Sequence, residues 1–217
     1  MVRNSGSLVY VRLLILLINC ILCILAVDGL PTKRSVAHFK RCSCYEIGDS
    51  VFSLSELECC VIRGRTSRPS HIKSPFVNVP KKSRSYRQVY GLDATDFRIN
   101  FILNNGDKSY PSKVPILTPQ TMDDKMDISA FLFLMGSVKI DLDKRTVFLP
   151  KVCDVYRDDF GDGLVCLSRC LIYLDTKSQL AIGGLLEGGM VSVKFSRASN
   201  SFHSNLMLMD ELSVSGV

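Results

Sequence analysis

The hydrophobic and polar positions along the chain predict short helices and strands in mixed order. Apolar residues spaced three and four apart indicate helices, and alternating apolar residues indicate half-buried strands. Helical spacing follows Ser53 and Thr118 and recurs over 152–156 and 164–174. Strands are predicted over 96–103, 138–142, 146–149 and 190–195, with hairpins at 45–52 and 138–149. This order predicts one compact α+β domain with a small mixed or antiparallel sheet, hairpins and packed helices.

Local signals support the predicted helix starts and stops. Ser53 and Glu56 have the spacing of a capping box, and the helix they begin is expected to stop at Gly64. Thr118 is predicted to cap a second helix, because proline follows it at the first helical position. The acidic segment 158–163 lacks the alternating carboxylates of an EF-hand loop. It is interpreted as a helix end, a turn and a new helix start.

An apolar run at 13–27, interrupted only by Asn19, has two interpretations. Basic residues precede the run and small residues follow it, as in a secretory signal peptide, and it is short for a membrane span. A helix that is apolar on every side is instead typical of a protein core. Residues 1–28 are therefore predicted as an apolar helix, either a core helix or a signal or anchor, ahead of a domain at 29–197. A flexible tail is predicted over 198–217.

Composition excludes several classes of protein. The 217 residues are 47% hydrophobic and 22% charged, as in an average soluble globular domain. This balance excludes disordered, collagen-like and polytopic membrane proteins. The chain has no tryptophan and no repeat period, which argues against solenoids and propellers.

The net charge of +6 is concentrated in one predicted loop at 63–92. No acidic residue lies between Glu58 and Asp93, and without the basic residues of this loop the remainder carries −2. The basic residues are Arg63, Arg65, Arg68, Lys73, Lys81, Lys82, Arg84 and Arg87. Such a loop is a candidate contact surface for an acidic protein, an anionic membrane or nucleic acid. The alternative interpretation is a solvated insertion that its like charges keep extended.

The nine cysteines predict neither a metal site nor a cofactor. Only Cys42 and Cys44, near His38, lie in a polar turn-rich segment, and their spacing is unusual for zinc. Cys166 and Cys170 lie one helical turn apart. Most of the cysteines are interpreted as small buried hydrophobic residues. No known nucleotide-binding, metalloprotease or serine-hydrolase motif is present, and no small-molecule ligand is predicted.

Several segments, taken in order, resemble one family, the domain of unknown function 547. They lie at 45–48, 52–58, 61–64, 96–101, 104–111, 148–151 and 156–161 and are spread over roughly 28–195. Segments 18–19 and 27–32 resemble the family as well. This resemblance implies that the apolar run is a family core helix, and that the upstream part of the domain is missing. Relatives often carry glutaredoxin-like or DEP domains, which implies an intracellular context, whereas a signal at 1–27 would imply secretion or membrane anchoring.

Departures from the family pattern affect the polar positions expected to form a site. Ile24, Cys59, Asn100, Asn105 and Tyr110 stand where the family commonly has His, His, His, Cys and Cys. An amide cannot exchange protons as an imidazole does, and Asn105 is no nucleophile. Asn19 matches the family and Cys59 retains a thiol, so the candidate catalytic positions are Asn19, Cys59, Asn100 and Asn105. The resemblance therefore implies a degenerate site, and the chain is not expected to be an enzyme.

Three functions are compatible with these features of the sequence. The first is a non-catalytic interaction or scaffold module, whose partner is expected to be a protein bound by the basic loop. The second is a thiol-dependent hydrolase or transferase that uses Cys59 with His38 or His71. The third is a secreted protein whose disulfides join Cys42, Cys44, Cys59 and Cys60.

Overall fold

The computed structural model describes residues 42–47, 50–63, 95–104, 109–118, 120–189, 191–197 and 207–209. The apolar run at 13–27 and nearly all of the basic loop lie outside these ranges. Within them, no helix combines the length and the hydropathy that crossing a membrane requires.

The described chain begins with the predicted hairpin. Strands β1 (Cys44–Ile47) and β2 (Ser50–Ser53) pair antiparallel, with Tyr45 opposite Phe52. The backbone and hydroxyl of Ser53 donate to the Glu56 carboxylate, and the Glu56 backbone amide donates to the Ser53 hydroxyl. The predicted capping box is therefore confirmed.

The capped helix changes its pitch after one turn. Helix α1 (Leu54–Glu56) continues directly as a π-helix over Leu57–Ile62. The Arg63 amide then donates to the Glu58 carbonyl oxygen, five residues back, at 3.3 Å. Wider π-helical turns often occur at functional sites.

The strand predicted over 96–103 is wrong, because Phe97–Phe101 forms a 3₁₀-helix. The Asp96 side chain caps this helix by accepting from the Arg98 amide at 2.9 Å. The rings of Phe97 and Phe101 meet edge-on with centroids 6.5 Å apart. The apolar alternation here matches a strand, but the aspartate cap and the consecutive burial of Ile99, Asn100 and Phe101 favour a helix.

The long helix predicted after Thr118 is confirmed, with a later start. Helix α2 spans Met122–Ser137, and its N-cap residue is Thr121 rather than Thr118. The two threonine hydroxyls lie 2.8 Å apart. The loop before the helix includes strand β3 (Lys113–Pro115).

A three-stranded mixed sheet follows α2. Strands β4 (Lys139–Asp141) and β5 (Thr146–Leu149) form the predicted hairpin, and β6 (Ser192–Phe195) pairs parallel with β5. A helical crossover joins β5 to β6, as parallel strands require. Its helices are α3 (Lys151–Val155), α4 (Arg157–Phe160), α5 (Gly163–Leu171) and α6 (Thr176–Glu187). The mixed sheet with packed helices confirms the predicted α+β class.

The segment between α4 and α5 has the predicted form. Helix α4 ends at Gly161, whose φ of 83° is a backbone conformation that favours glycine. Helix α5 begins two residues later, so the acidic segment 158–163 is a helix end, a turn and a helix start.

The flexible tail predicted over 198–217 contains a short strand. Strand β7 (Met207–Met209) pairs parallel with β3 and places Met207 beside Lys113. Residues 207–209 thus form a strand, and the flexible tail stays a prediction for the rest of 198–217. This pairing joins segments more than ninety residues apart, and local sequence patterns do not encode such a contact.

The hydrophobic core lies between the mixed sheet, helix α2 and the crossover helices. Phe101 of the 3₁₀-helix, Leu134 of α2 and Val147 of β5 are fully buried in it. The core thereby places the ends of the 3₁₀-helix, the π-helix and α4 close together, and the polar residues of these elements meet there.

Candidate functional site: a buried polar network

The central feature of the site is a buried ion pair. Arg63, at the end of the π-helix, pairs with Asp159 on α4, and their side chains are 2% and 0% exposed. The Arg63 guanidinium also stacks on the ring of Tyr156, with its central carbon 3.8 Å from the ring centroid. A buried charge is costly unless it is paired and hydrogen-bonded, and the fold provides Arg63 with both kinds of contact.

Asn100 connects the two charged side chains. Its amide oxygen accepts from Arg63 at 2.7 Å. Its amide nitrogen donates to the Asp159 carboxylate at 3.1 Å and to the Phe97 carbonyl oxygen at 3.0 Å. An asparagine amide has two N–H donors, so both donors of Asn100 are used inside the protein.

Tyr156 extends the network to the π-helix. Its hydroxyl donates to the carboxylate of Glu58 at 2.8 Å, and both residues are buried. Burial, together with the negative charge of Glu58, raises the pKa of the Tyr156 phenol well above its usual value. The phenol therefore stays protonated and remains a hydrogen-bond donor.

The network residues come from segments that resemble the family. Glu58, Arg63, Asn100, Tyr156 and Asp159 lie in four such segments, the first two adjacent and the others distant in sequence. The model of a protein family described as "Protein of unknown function, DUF547" matches residues 15–134, more than half of the chain. The chain belongs to this family. No curated protein matches the chain, and no solved structure does.

Two of the candidate catalytic residues of this DUF547 protein are described, and both are buried. Asn100 is 1% exposed and Cys59, on the π-helix, is 7% exposed. Asn19 and Asn105 lie outside the described residues, as do the histidines His38, His71 and His203. Tyr110, at a position where the family commonly has cysteine, is buried beside Tyr156, with ring centroids 6.4 Å apart.

Arg63 does not belong to an exposed basic loop, which corrects the prediction for this residue. Its guanidinium points into the network instead of the solvent, because Asp159, Asn100 and Tyr156 provide it with partners. The other predicted contact residues, Arg65, Arg68, Lys81, Lys82, Arg84 and Arg87, lie outside the described residues.

A surface pocket of about 360 Å³ lies beside the network. Phe101 and Tyr110 form part of its wall, with Lys113 and Ser129 among the other lining residues. The Ser129 hydroxyl is buried and has no hydrogen-bond partner within the part of the chain that the structure describes. The pocket thus combines aromatic rings with one unsatisfied hydroxyl, and Tyr110 connects it to Tyr156.

Three of the cysteines interpreted as small hydrophobic residues form a cluster in the core. Cys153, Cys166 and Cys170 are fully buried. Hydrogen bonds from Cys153 and Cys170 lower the pKa of the Cys166 thiol to about 5, and burial raises the pKa of Cys153.

The disulfides proposed for the N-terminal cysteines are not formed among the described residues. Cys42, Cys44 and Cys59 form no disulfide with one another, and the first two are exposed.

Glu58, Tyr156 and Asp159 are not predicted as site residues from the sequence, and Arg63 is buried instead of lying in an exposed loop. The signal that could have found them is their position in segments that resemble the family. Tyr156 and Asp159 lie beyond the matched range 15–134, so the family match alone does not include them.

Proposed function

We propose that this DUF547 protein is a non-catalytic interaction module. The observation that carries the proposal is the bonding of Asn100, which occupies a position where the family commonly has histidine. Both of its donors are used by Asp159 and Phe97, and its oxygen accepts from Arg63. Such an amide holds the fold together and has no proton to exchange with a substrate.

The environment of Cys59 also supports a non-catalytic role. A nucleophilic cysteine needs a partly exposed, electropositive environment, and Cys59 is only 7% exposed.

The reactivity of Cys59 is tested by labelling the native chain with iodoacetamide at neutral pH. Tandem mass spectrometry then distinguishes label on Cys59 from label on Cys60. Exposed Cys42 and Cys44 are internal controls. We expect Cys59 to react at least about 100-fold more slowly, since labelling requires local opening. A Cys59 that reacts faster than the controls would refute the proposal.

The proposed partner is a protein with an acidic segment. The support is the run of basic residues between Glu58 and Asp93, which still includes Lys81, Lys82, Arg84 and Arg87 without Arg63. Contacts of this kind are electrostatic and weaken with added salt.

The binding test uses a fluorescent glutamate-rich peptide and a variant that combines Lys81→Glu, Lys82→Glu, Arg84→Glu and Arg87→Glu. The control changes the same amount of charge at the exposed residues Lys139, Lys177, Lys194 and Arg197. We expect the wild type and the control variant to bind the peptide in a salt-sensitive way, and the loop variant to lose this binding. Equal losses in both variants would indicate nonspecific charge attraction and count against the loop. Phosphatidylserine vesicles and single-stranded DNA serve as separate arms, and stronger binding to either would replace the protein partner.

A further inference from the structure

Two helices of the crossover bring three thiols to one point in the core. Cys153 lies on α3, while Cys166 and Cys170 lie four residues apart on α5 and so share one helix face. The three sulfur atoms lie within 4.8 Å of one another. All three residues are 0% exposed.

This spacing is close to that of sulfur ligands around one metal ion. With metal–sulfur bonds of about 2.3 Å, neighbouring sulfurs are ~3.8 Å apart in a tetrahedral site and ~4.0 Å apart in a trigonal plane. The sulfurs would need to move together by less than about 1 Å, which small side-chain rotations provide without a change in the helices.

We propose that Cys153, Cys166 and Cys170 form a buried three-thiolate site for Cu(I). Thiolates are soft ligands, and they select soft ions such as Cu(I). Within the described ranges, no fourth histidine, cysteine or carboxylate joins the three sulfurs. Structural zinc takes four ligands, and this cluster supplies three thiols that are each 0% exposed, so a three-coordinate ion fits better.

Nearby charges favour an anionic complex. Cu(I) bound by three thiolates carries a net charge of −2. Each thiol that is still protonated releases its proton to solvent on binding, without any change of oxidation state. Of the two nearby arginines, Arg157 is already paired with Asp154, so Arg169 is the cation that offsets part of this charge. Both guanidiniums are held in place, since Arg169 donates to the Asp159 carbonyl oxygen and Arg157 donates to Asp154 at 2.5 Å.

The test is an anaerobic titration of the reduced full chain with Cu(I), in competition with a chromogenic Cu(I) chelator. We expect one Cu(I) per chain and X-ray absorption that reports three sulfur ligands. Cys153→Ala, Cys166→Ala and Cys170→Ala should each weaken binding by more than about 100-fold, beyond the loss typical of outer-shell changes. The matched control, Cys42→Ala with Cys44→Ala, removes two exposed thiols and should keep full affinity.

Cu(I) should also raise the urea midpoint of the wild-type chain, because it binds the folded state, and should leave that of the alanine variants unchanged. If an alanine variant does not fold, the serine variant at the same position replaces it. Loss of all Cu(I) to the chelator, or unchanged affinity in folded Cys166 variants, would overturn the proposal. So would a four-ligand spectrum or preferential binding of Zn²⁺, since either result requires a fourth ligand.

Discussion

Replacing Arg63 with alanine tests the role of the buried ion pair most directly. The substitution leaves the Asp159 carboxylate, whose side chain is 0% exposed, without its cation. Removing one partner of a buried pair typically costs about 3–5 kcal/mol, because the remaining charge is uncompensated. We therefore expect Arg63→Ala to lower the free energy of unfolding by that amount.

The contacts of Arg63 account for a loss of this size. Its hydrogen bond to Asn100 at 2.7 Å involves a charged donor, and such bonds contribute about 1.5–3 kcal/mol. Its stacking on Tyr156 at 3.8 Å is desolvated and contributes about 2 kcal/mol. These contributions overlap with that of the ion pair and cannot simply be added.

Urea unfolding followed by circular dichroism measures the effect. The control Lys144→Ala breaks an ion pair with Asp141 in which the lysine side chain is 78% exposed, and it should cost less than about 1 kcal/mol. The double variant Arg63→Met with Asp159→Asn removes both charges. Its loss of unfolding free energy should be smaller, by at least about 1 kcal/mol, than the sum of the losses in the two single variants. A loss below about 1 kcal/mol for Arg63→Ala, with an unchanged m-value, would refute a stabilising role for the pair.

Further predictions concern a turn and the buried phenol. Gly161→Ala should destabilise the fold by about 1–3 kcal/mol in urea unfolding, because φ is 83° and a Cβ would lie 2.7 Å from Val165. Gly183→Ala, in open space on α6, should instead stabilise it by about 0.5–1 kcal/mol, and equal effects would contradict the argument. The pKa of the Tyr156 phenol is higher in the folded state than its unfolded value of about 10. Its contribution to stability is therefore complete below pH 10 and is lost as the pH rises from there through the folded-state pKa. The urea midpoint of the wild type should therefore fall more steeply above pH 10 than that of Tyr156→Phe, and parallel curves would contradict this assignment.

Elements specified by local chemistry can be predicted from the sequence. The capping box at Ser53 and the hairpin formed by β4 and β5 depend on residues close in the chain. The 3₁₀-helix is mistaken for a strand because apolar Phe97, Ile99 and Phe101 alternate with polar residues, as in a half-buried strand. Helix α6 is missed; the side chain of Asp175 caps it, but Gly183 and Gly184 interrupt its helical propensity.

The site is less predictable, because it depends on burial. Arg63 is next in sequence to a run of basic residues, and only the tertiary contact with Asp159 distinguishes it from them. The spacing of Cys166 and Cys170 is visible in the sequence as one helical turn. Their approach to Cys153 depends on how α3 packs against α5, and sequence spacing does not specify that packing.

The network shows that the folding unit is longer than the segment matched to the family. Glu58, Arg63 and Asn100 lie within 15–134, but Tyr156 and Asp159 follow it. Because a buried arginine without its carboxylate is strongly destabilising, Arg63 in the matched segment depends on Asp159, which lies outside it. The helices after residue 134 must therefore fold together with it.

The same contacts explain how a long basic insertion is compatible with this unit. The Thr95 hydroxyl donates to the Arg63 carbonyl oxygen, so the two described residues that flank 64–94 lie next to each other. Closing such a loop costs little more as it lengthens, because the entropy depends only on the logarithm of its length. Charge reversal at Lys81, Lys82, Arg84 and Arg87 leaves the buried pair of Arg63 and Asp159 intact. We therefore expect it to change binding without removing this source of stability.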